Sequence, residues 1–138
     1  SQAIDRIHAQ DGLVCVPHPF DTFPRSGLSW KVLEEFAAAI DVIEVFNARS
    51  PFPQPSSKAL HFALEHGFVT SAGSDAHTLG EIGNAYVEIS DFSDQASFIK
   101  SLSEGQIKGQ KTNPIVHFVS LWSKVKSRIN VINKADNV

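Results

Sequence analysis

The chain has 138 residues, and its 12 Lys and Arg against 15 Asp and Glu give a formal net charge of −3. This length allows one domain with a real hydrophobic core. The slightly acidic balance argues against a protein built to wrap nucleic acid, which needs a basic surface. No apolar run reaches the roughly 18 residues that span a bilayer. The single Cys15 cannot form an internal disulfide, so we expect a cytoplasmic protein.

Short apolar runs alternate with amphipathic segments along most of the chain. In chain order they predict a strand at 13–16, a helix at 30–40 capped by Ser29, a strand at 41–47, a helix from Ser56 or Ser57 to a C-cap at Gly67, strands at 68–72 and 85–89, and a helix at 93–104. The Pro-rich stretch 51–55 is interpreted as a loop. This alternation predicts an α/β fold whose parallel strands are joined by right-handed crossovers.

The segment 113–138 is different in character. Asn113-Pro114 is a typical helix start, and the apolar residues that follow recur in steps of three and four. We predict an amphipathic helix that packs on the preceding part, 1–112. The alternative is that its apolar stripe, which includes Trp122 and Ile129, pairs with another helix and makes a homo-oligomer.

Polar residues cluster beside the ends of the predicted strands, where α/β proteins bind their ligands. His18 stands between Pro17 and Pro19 just after the first strand. Pro19 favours extended backbone at His18, which aims the ring from the strand end. His18 is therefore a candidate ligand, and a turn histidine without a role is the alternative.

A second cluster is the run Gly73-Ser74-Asp75-Ala76-His77 after the third strand. In an extended chain Asp75 and His77 face the same side, so one carboxylate oxygen and one imidazole nitrogen can converge on a cation. Gly73 allows a tight turn or a close approach to a bound group. Ser74 either orients a ligand or satisfies the turn, and the whole pair is either a site or a chance feature of a loop.

The third cluster is Glu44 with Asn47, in the strand Val42-Ile43-Glu44-Val45-Phe46-Asn47. A glutamate in the middle of an apolar strand is costly unless a cation, a histidine or hydrogen-bond donors compensate it. Glu44 either supports and orients a ligand or serves as a structural hydrogen-bond acceptor.

The order His-Pro-Phe, Ile-Glu-Val-Phe-Asn and Ala-Gly-Ser-Asp-Ala-His resembles the C-terminal half of the polymerase and histidinol phosphatase (PHP) family, over about 12–89. The resemblance implies the C-terminal portion of a distorted (β/α)7 TIM-like barrel, followed here by a C-terminal helix. It also implies a metal-dependent phosphoesterase, in which metal-activated water hydrolyses a phosphate ester. The implied substrate is small and phosphorylated, such as a nucleotide or sugar phosphate.

The resemblance also implies roles for individual residues. The implied metal ligands are His18, Asp75 and His77, and His18 or His77 is the candidate catalytic acid for the leaving group. The candidate phosphate-binding residues are Arg25 and Arg49, and those that support the ligands are Glu44, Asn47 and Ser74. Oxygen and imidazole ligands suit the divalent ions of Zn, Mn or Fe, of which the complete site would hold two or three.

The family's site also uses a His-x-His pair, and this chain contains none. We therefore expect a C-terminal part of a longer protein, whose N-terminal part supplies the remaining ligands, and we expect this chain alone to be inactive. Two alternatives stay open. One is a non-catalytic PHP-like module for assembly or regulation, and the other is an amidohydrolase-type enzyme that acts on C–N bonds.

Overall fold

The computed structural model describes residues 2–21 and 28–112, and they form a mixed α/β fold around a parallel sheet. The elements in chain order are α1 (Gln2–His8), β1 (Cys15–Val16), α2 (Trp30–Phe36), a 3₁₀ helix (Ala37–Ala39), β2 (Val42–Asn47), α3 (Pro53–His66), β3 (Val69–Gly73), a 3₁₀ helix (Leu79–Glu81), β4 (Ala85–Glu88), α4 (Gln95–Ser103) and β5 (Gln106–Gly109). The α/β prediction is confirmed at this level.

The central sheet has the strand order β1-β2-β3, and both pairings are parallel. Val42 of β2 lies opposite Cys15 on one side and Val69 on the other. The register between β2 and β3 shifts between Glu44 and Phe46, and irregularities of this kind often re-aim side chains beside functional sites. The parallel arrangement predicted for these three strands is confirmed.

The core lies between the sheet and the helices α2 and α3. Leu33 of α2, Ile43 of β2 and Phe62 of α3 are fully buried. The Trp30 ring packs edge-on against Phe62 with 4.7 Å between ring centroids. Full burial of one such apolar side chain stabilises a fold by about 1.5–3 kcal/mol. Ser29 caps α2 as predicted, because its hydroxyl accepts the Val32 N–H at 3.3 Å.

Helix α3 begins at Pro53, so the prediction of a loop over 51–55 is wrong for its second half. Pro53 and Pro55 lie in the first turn, where backbone N–H groups have no partner within the helix and a proline loses nothing. The predicted C-cap is confirmed, since Gly67 takes the left-handed conformation with φ 70°.

Strand β4 pairs with β5 in antiparallel fashion, so the prediction of parallel strands throughout is wrong here. Strand β5 was not predicted from the sequence, and Ile107 is its one apolar side chain, between Gln106 and Lys108. Gly105 turns the chain from α4 into β5, and a Cβ at this position would lie 2.8 Å from side-chain atoms of both Val87 and Ile89. The close approach to β4 therefore requires glycine.

Three predictions concern residues outside the described part of the chain. They are the helix at 113–138, the pairing surface that this helix would offer, and the role of Arg25. The boundary at 112 therefore stays a prediction. Within residues 2–21 and 28–112, no helix is long and apolar enough to cross a membrane.

Candidate functional site

The carboxyl ends of β1, β2 and β3 lie along one edge of the parallel sheet. His18 follows β1, Asn47 ends β2, and Asp75 follows β3. Ligands of α/β proteins bind beyond this edge. The fold thus collects the residues of all three sequence clusters in one place.

His18 begins a turn, and its φ of 30° corrects the expectation of extended backbone. The His18 carbonyl accepts the Asp21 N–H at 3.1 Å, which bends the chain immediately after Pro17. A non-glycine residue at positive φ stores about 1–3 kcal/mol of strain, which the surrounding structure must hold. The ring atom Nδ1 of His18 is buried and has no hydrogen-bond partner among residues 2–21 and 28–112.

Glu44 projects its carboxylate into the same region. Its Oε1 is buried and has no hydrogen-bond partner within the described part of the chain. Burial raises the pKa of Glu44, and the negative charges of Asp75 and Asp21 add to the rise, while His18 opposes it. A Cβ on Gly73 would overlap the Glu44 carboxylate, so glycine is required here for the close approach of this side chain, whereas the predicted approach was to a bound group.

Asp75 has a left-handed backbone with φ 47°, so the extended geometry expected from Asp75 to His77 is wrong. A turn brings the two residues together instead. Asn47 Nδ2 donates to Asp75 Oδ2 at 3.3 Å, and His77 Nδ1 lies 2.8 Å from the Asp75 carbonyl oxygen. Because a carbonyl only accepts, Nδ1 carries the proton and Nε2 is the ring nitrogen left to bind a cation.

Glu81 organises the loop that carries these residues, and it is 1% exposed. Its Oε2 accepts the N–H groups of His77 and Thr78 and the Thr78 hydroxyl, while Arg49 donates to Oε1. Burial would raise the pKa of Glu81, but these hydrogen bonds and the Arg49 charge outweigh it and lower the pKa. The sequence analysis missed Glu81, although Thr78-x-x-Glu81 is a capping-box signature.

Other predicted residues have defined structural partners. Arg49 forms a buried ion pair with Glu81, and phosphate binding by Arg49 stays a prediction. The Ser74 hydroxyl donates to the Ala85 carbonyl at 3.0 Å and accepts the Ala85 N–H at 3.1 Å, which joins the end of β3 to β4. Asn47 Oδ1 accepts the Arg49 N–H at 2.7 Å.

Two charged residues at this edge were not predicted. Asp21 is buried and accepts the Ser50 hydroxyl at 2.9 Å. Lys111 Nζ donates to the Asn47 carbonyl at 2.9 Å and lies 4.9 Å from the centroid of the Phe46 ring. Partial burial lowers the pKa of Lys111, and the nearby Asp21 charge opposes that change. Residues this far apart in sequence leave no local signal.

An open recess of about 350 Å³ lies beside the loop, with Thr78, Asn84 and Lys111 among its lining residues. A much smaller cavity of about 10 Å³ lies between His18, Glu44 and Asn47. The smaller cavity is about the size that one water molecule or monatomic ion needs. The two cavities therefore offer spaces of very different kinds, one for an ion and one for a polar organic group.

The site fits a divalent cation in part. His18 and Glu44 line the small cavity, and His18 Nδ1 and Glu44 Oε1 have no hydrogen-bond partner among the residues described. Imidazole with carboxylate is a suitable donor set for Zn, Mn or Fe. Among the described residues, however, no three His, Cys, Asp or Glu side chains are grouped closely enough to hold a metal ion. The arrangement matches one side of a site that needs further ligands.

Comparisons with known proteins agree with the sequence motifs. Residues 53–107 match a family model, PHP_C, described as PHP-associated. The chain is also similar to the uncharacterized protein MJ0417 of Methanocaldococcus jannaschii, with 43% identity over 93 residues, or 65% of this chain. That similarity covers 39% of the relative, so the chain spans about two fifths of its length.

Proposed function

We propose that this chain is a C-terminal part of a PHP family protein and carries the later metal ligands of a metal-dependent phosphoesterase. One observation carries the proposal. His18, Glu44 and Asp75 lie near enough at the carboxyl end of the parallel sheet for their charges to interact, and His18 Nδ1 and Glu44 Oε1 are buried without a hydrogen-bond partner among the described residues. Buried polar groups are normally hydrogen-bonded, and unsatisfied ones need an explanation such as an ion.

His18, Asp75 and His77 would hold the divalent ions, with Glu44 next to them. Bound metal of this kind acidifies a water molecule and polarises the phosphoryl oxygen. The hydrogen bond from Asn47 holds the Asp75 carboxylate in place, and that from His77 to the Asp75 carbonyl presents Nε2 outward. A histidine not occupied as a ligand, His18 or His77, would donate the proton to the leaving oxygen.

The small phosphorylated substrate is the second part of the proposal. The polar recess beside the loop has room for a nucleotide or sugar phosphate, and the Lys111 ammonium has two donors besides the one used on Asn47. Lys111 thus joins the predicted Arg25 and Arg49 as a candidate for binding phosphate. The free thiol of Cys15 is consistent with a cytoplasmic setting for this reaction.

The remaining ligands would come from the N-terminal part of the same protein, within a distorted (β/α)7 barrel. Two features support this. The relative is much longer than the chain. Within the described residues, the outer edge of β1 has no paired strand, and such an edge is normally covered.

The experiment is a metal analysis combined with a phosphatase assay on the full-length protein. We expect bound divalent metal and metal-stimulated release of phosphate from a nucleotide or sugar phosphate. His77→Ala should abolish most of this activity, whereas the control His61→Ala should leave it unchanged, because the His61 side chain is 75% exposed on α3. Absence of both metal and metal-stimulated release would reject the proposal.

A further inference from the structure

We infer that Glu81 is the positioning residue that fixes the tautomer and orientation of His77. Glu81 acts through the backbone of the loop, since its carboxylate accepts the N–H groups of His77 and Thr78. The inference rests on the proposed function and deepens it, since His77 Nε2 is the atom that would bind a metal ion there.

The first step of the argument is the set of hydrogen bonds around Glu81. Its Oε2 accepts the His77 N–H at 3.0 Å, the Thr78 N–H at 2.8 Å and the Thr78 hydroxyl at 2.9 Å. Its Oε1 is held by Arg49, which lies two residues after the end of β2. The carboxylate therefore ties the loop after β3 to the end of the neighbouring strand.

The second step is the strained backbone of Asp75. A non-glycine residue at φ 47° keeps that conformation only when its surroundings over-determine it. Asp75 is held on its side chain by Asn47. On its C-terminal side, the backbone is held two residues later by Glu81 through the His77 N–H. Removing the Glu81 carboxylate removes the second of these constraints.

The third step connects the backbone to the histidine ring. His77 Nδ1 donates to the Asp75 carbonyl only because the turn brings this carbonyl to 2.8 Å. If Asp75 relaxes to an ordinary conformation, the carbonyl moves away and Nδ1 loses its acceptor. The neutral ring then samples both tautomers, and the proton spends part of its time on Nε2.

The test is ¹⁵N NMR of the imidazole rings in this chain, comparing wild type with Glu81→Gln. Glutamine keeps the size of the side chain, but it offers one acceptor oxygen where the carboxylate offers two. We expect His77 to be almost entirely the Nδ1–H tautomer in the wild type and a mixture in the variant. Glu104→Gln, at an exposed position after α4, is the matched control and should match the wild type.

A second variant keeps the inference falsifiable if Glu81→Gln does not fold. Thr78→Val removes one hydroxyl donor to Glu81 and leaves the ion pair between Glu81 and Arg49 in place. It should shift the His77 tautomer in the same direction by a smaller amount. An unchanged tautomer in a folded variant whose backbone signals at 74–78 have moved would overturn the inference.

A titration with Mn²⁺ alone separates the inference from the proposed function. We expect Glu81→Gln to weaken binding about 10- to 100-fold, as is typical when a partner that orients a ligand is lost. If the wild type binds no Mn²⁺, the proposed function loses this support while the tautomer result still decides the role of Glu81. If the wild type binds and Glu81→Gln binds equally well, the inference is overturned.

Discussion

Two glutamates at the same end of the sheet, Glu81 and Glu44, differ in how far hydrogen-bond donors and positive charges compensate their carboxylates. Glu81 is buried and surrounded by donors from His77, Thr78 and Arg49, which lower its pKa. Glu44 is half-buried, its Oε1 has no partner in the part of the chain that the structure describes, and its pKa is raised. One carboxylate is fully compensated within the chain and the other is not.

The difference separates a charge that the protein's own groups satisfy from one that they satisfy only in part. A charge that is paired and hydrogen-bonded holds backbone in place, and Glu81 does so for the loop of Asp75 and His77. A buried acceptor without donors favours a proton or a cation. Glu44 and the neighbouring His18 Nδ1 therefore mark the position where a ligand would be stabilised.

Removing the compensated charge should have the largest effect. We expect Glu81→Ala to lower the free energy of unfolding by about 3–5 kcal/mol, because it leaves the Arg49 guanidinium buried without this partner. Urea denaturation measures the change. Glu104→Ala is the control and should change stability by less than about 0.5 kcal/mol. If Glu81→Ala also changed stability by less than about 0.5 kcal/mol, the Glu81 charge would matter no more than that of Glu104. That result would contradict the contrast between Glu81 and Glu44.

Filling the space next to Glu44 should have an intermediate effect. We expect Gly73→Ala to destabilise the fold by about 1–3 kcal/mol, since the new Cβ overlaps the Glu44 carboxylate. In a double-mutant cycle, Glu44→Ala should relieve much of this cost by removing the atoms in conflict. Purely additive losses would mean that the carboxylate does not occupy the space beside Gly73.

Neutralising Glu44 should have the smallest effect on stability and a distinctive pH dependence. Because the pKa of Glu44 is raised in the folded state, the folded protein is favoured while Glu44 is protonated. The folded protein loses this stability as pH rises above the pKa of Glu44 in the unfolded chain, near 4.5. We therefore expect Glu44→Gln to be more stable relative to wild type at pH 7 than at pH 4. Glu81 has a lowered pKa, so Glu81→Gln should show the reverse trend. Parallel pH curves for both variants would contradict the contrast.

Much of this arrangement follows from local sequence. The apolar runs identified β2 and β3, and the glutamate within β2 stood out because its neighbours are apolar. Gly73 was also recognisable as a point of close approach. In each case, the signal lies within a few residues of the feature that it predicts.

The parts that sequence patterns missed depend on contacts across the fold. The positive φ of His18 and Asp75 is unfavourable locally and is held by partners elsewhere in the chain. Strand β5 forms because β4 is beside it, and its own pattern is weak. The partnership of Arg49 with Glu81 joins residues 32 positions apart. The capping-box pattern at Thr78 is a local signal for the role of Glu81 but not for its pairing with Arg49.

The most direct test of the account is paramagnetic line broadening by Mn²⁺ in NMR spectra of this chain. The sheet carries an internal control at its opposite edge, where His8 Nε2 lies 3.0 Å from Asp41 Oδ2 just before β2. We predict broadening centred on His18, Glu44, Asp75 and His77, with the signals of His8 and Asp41 staying sharp. Broadening centred on His8 and Asp41, or equal at the two edges, would contradict the assignment of the site.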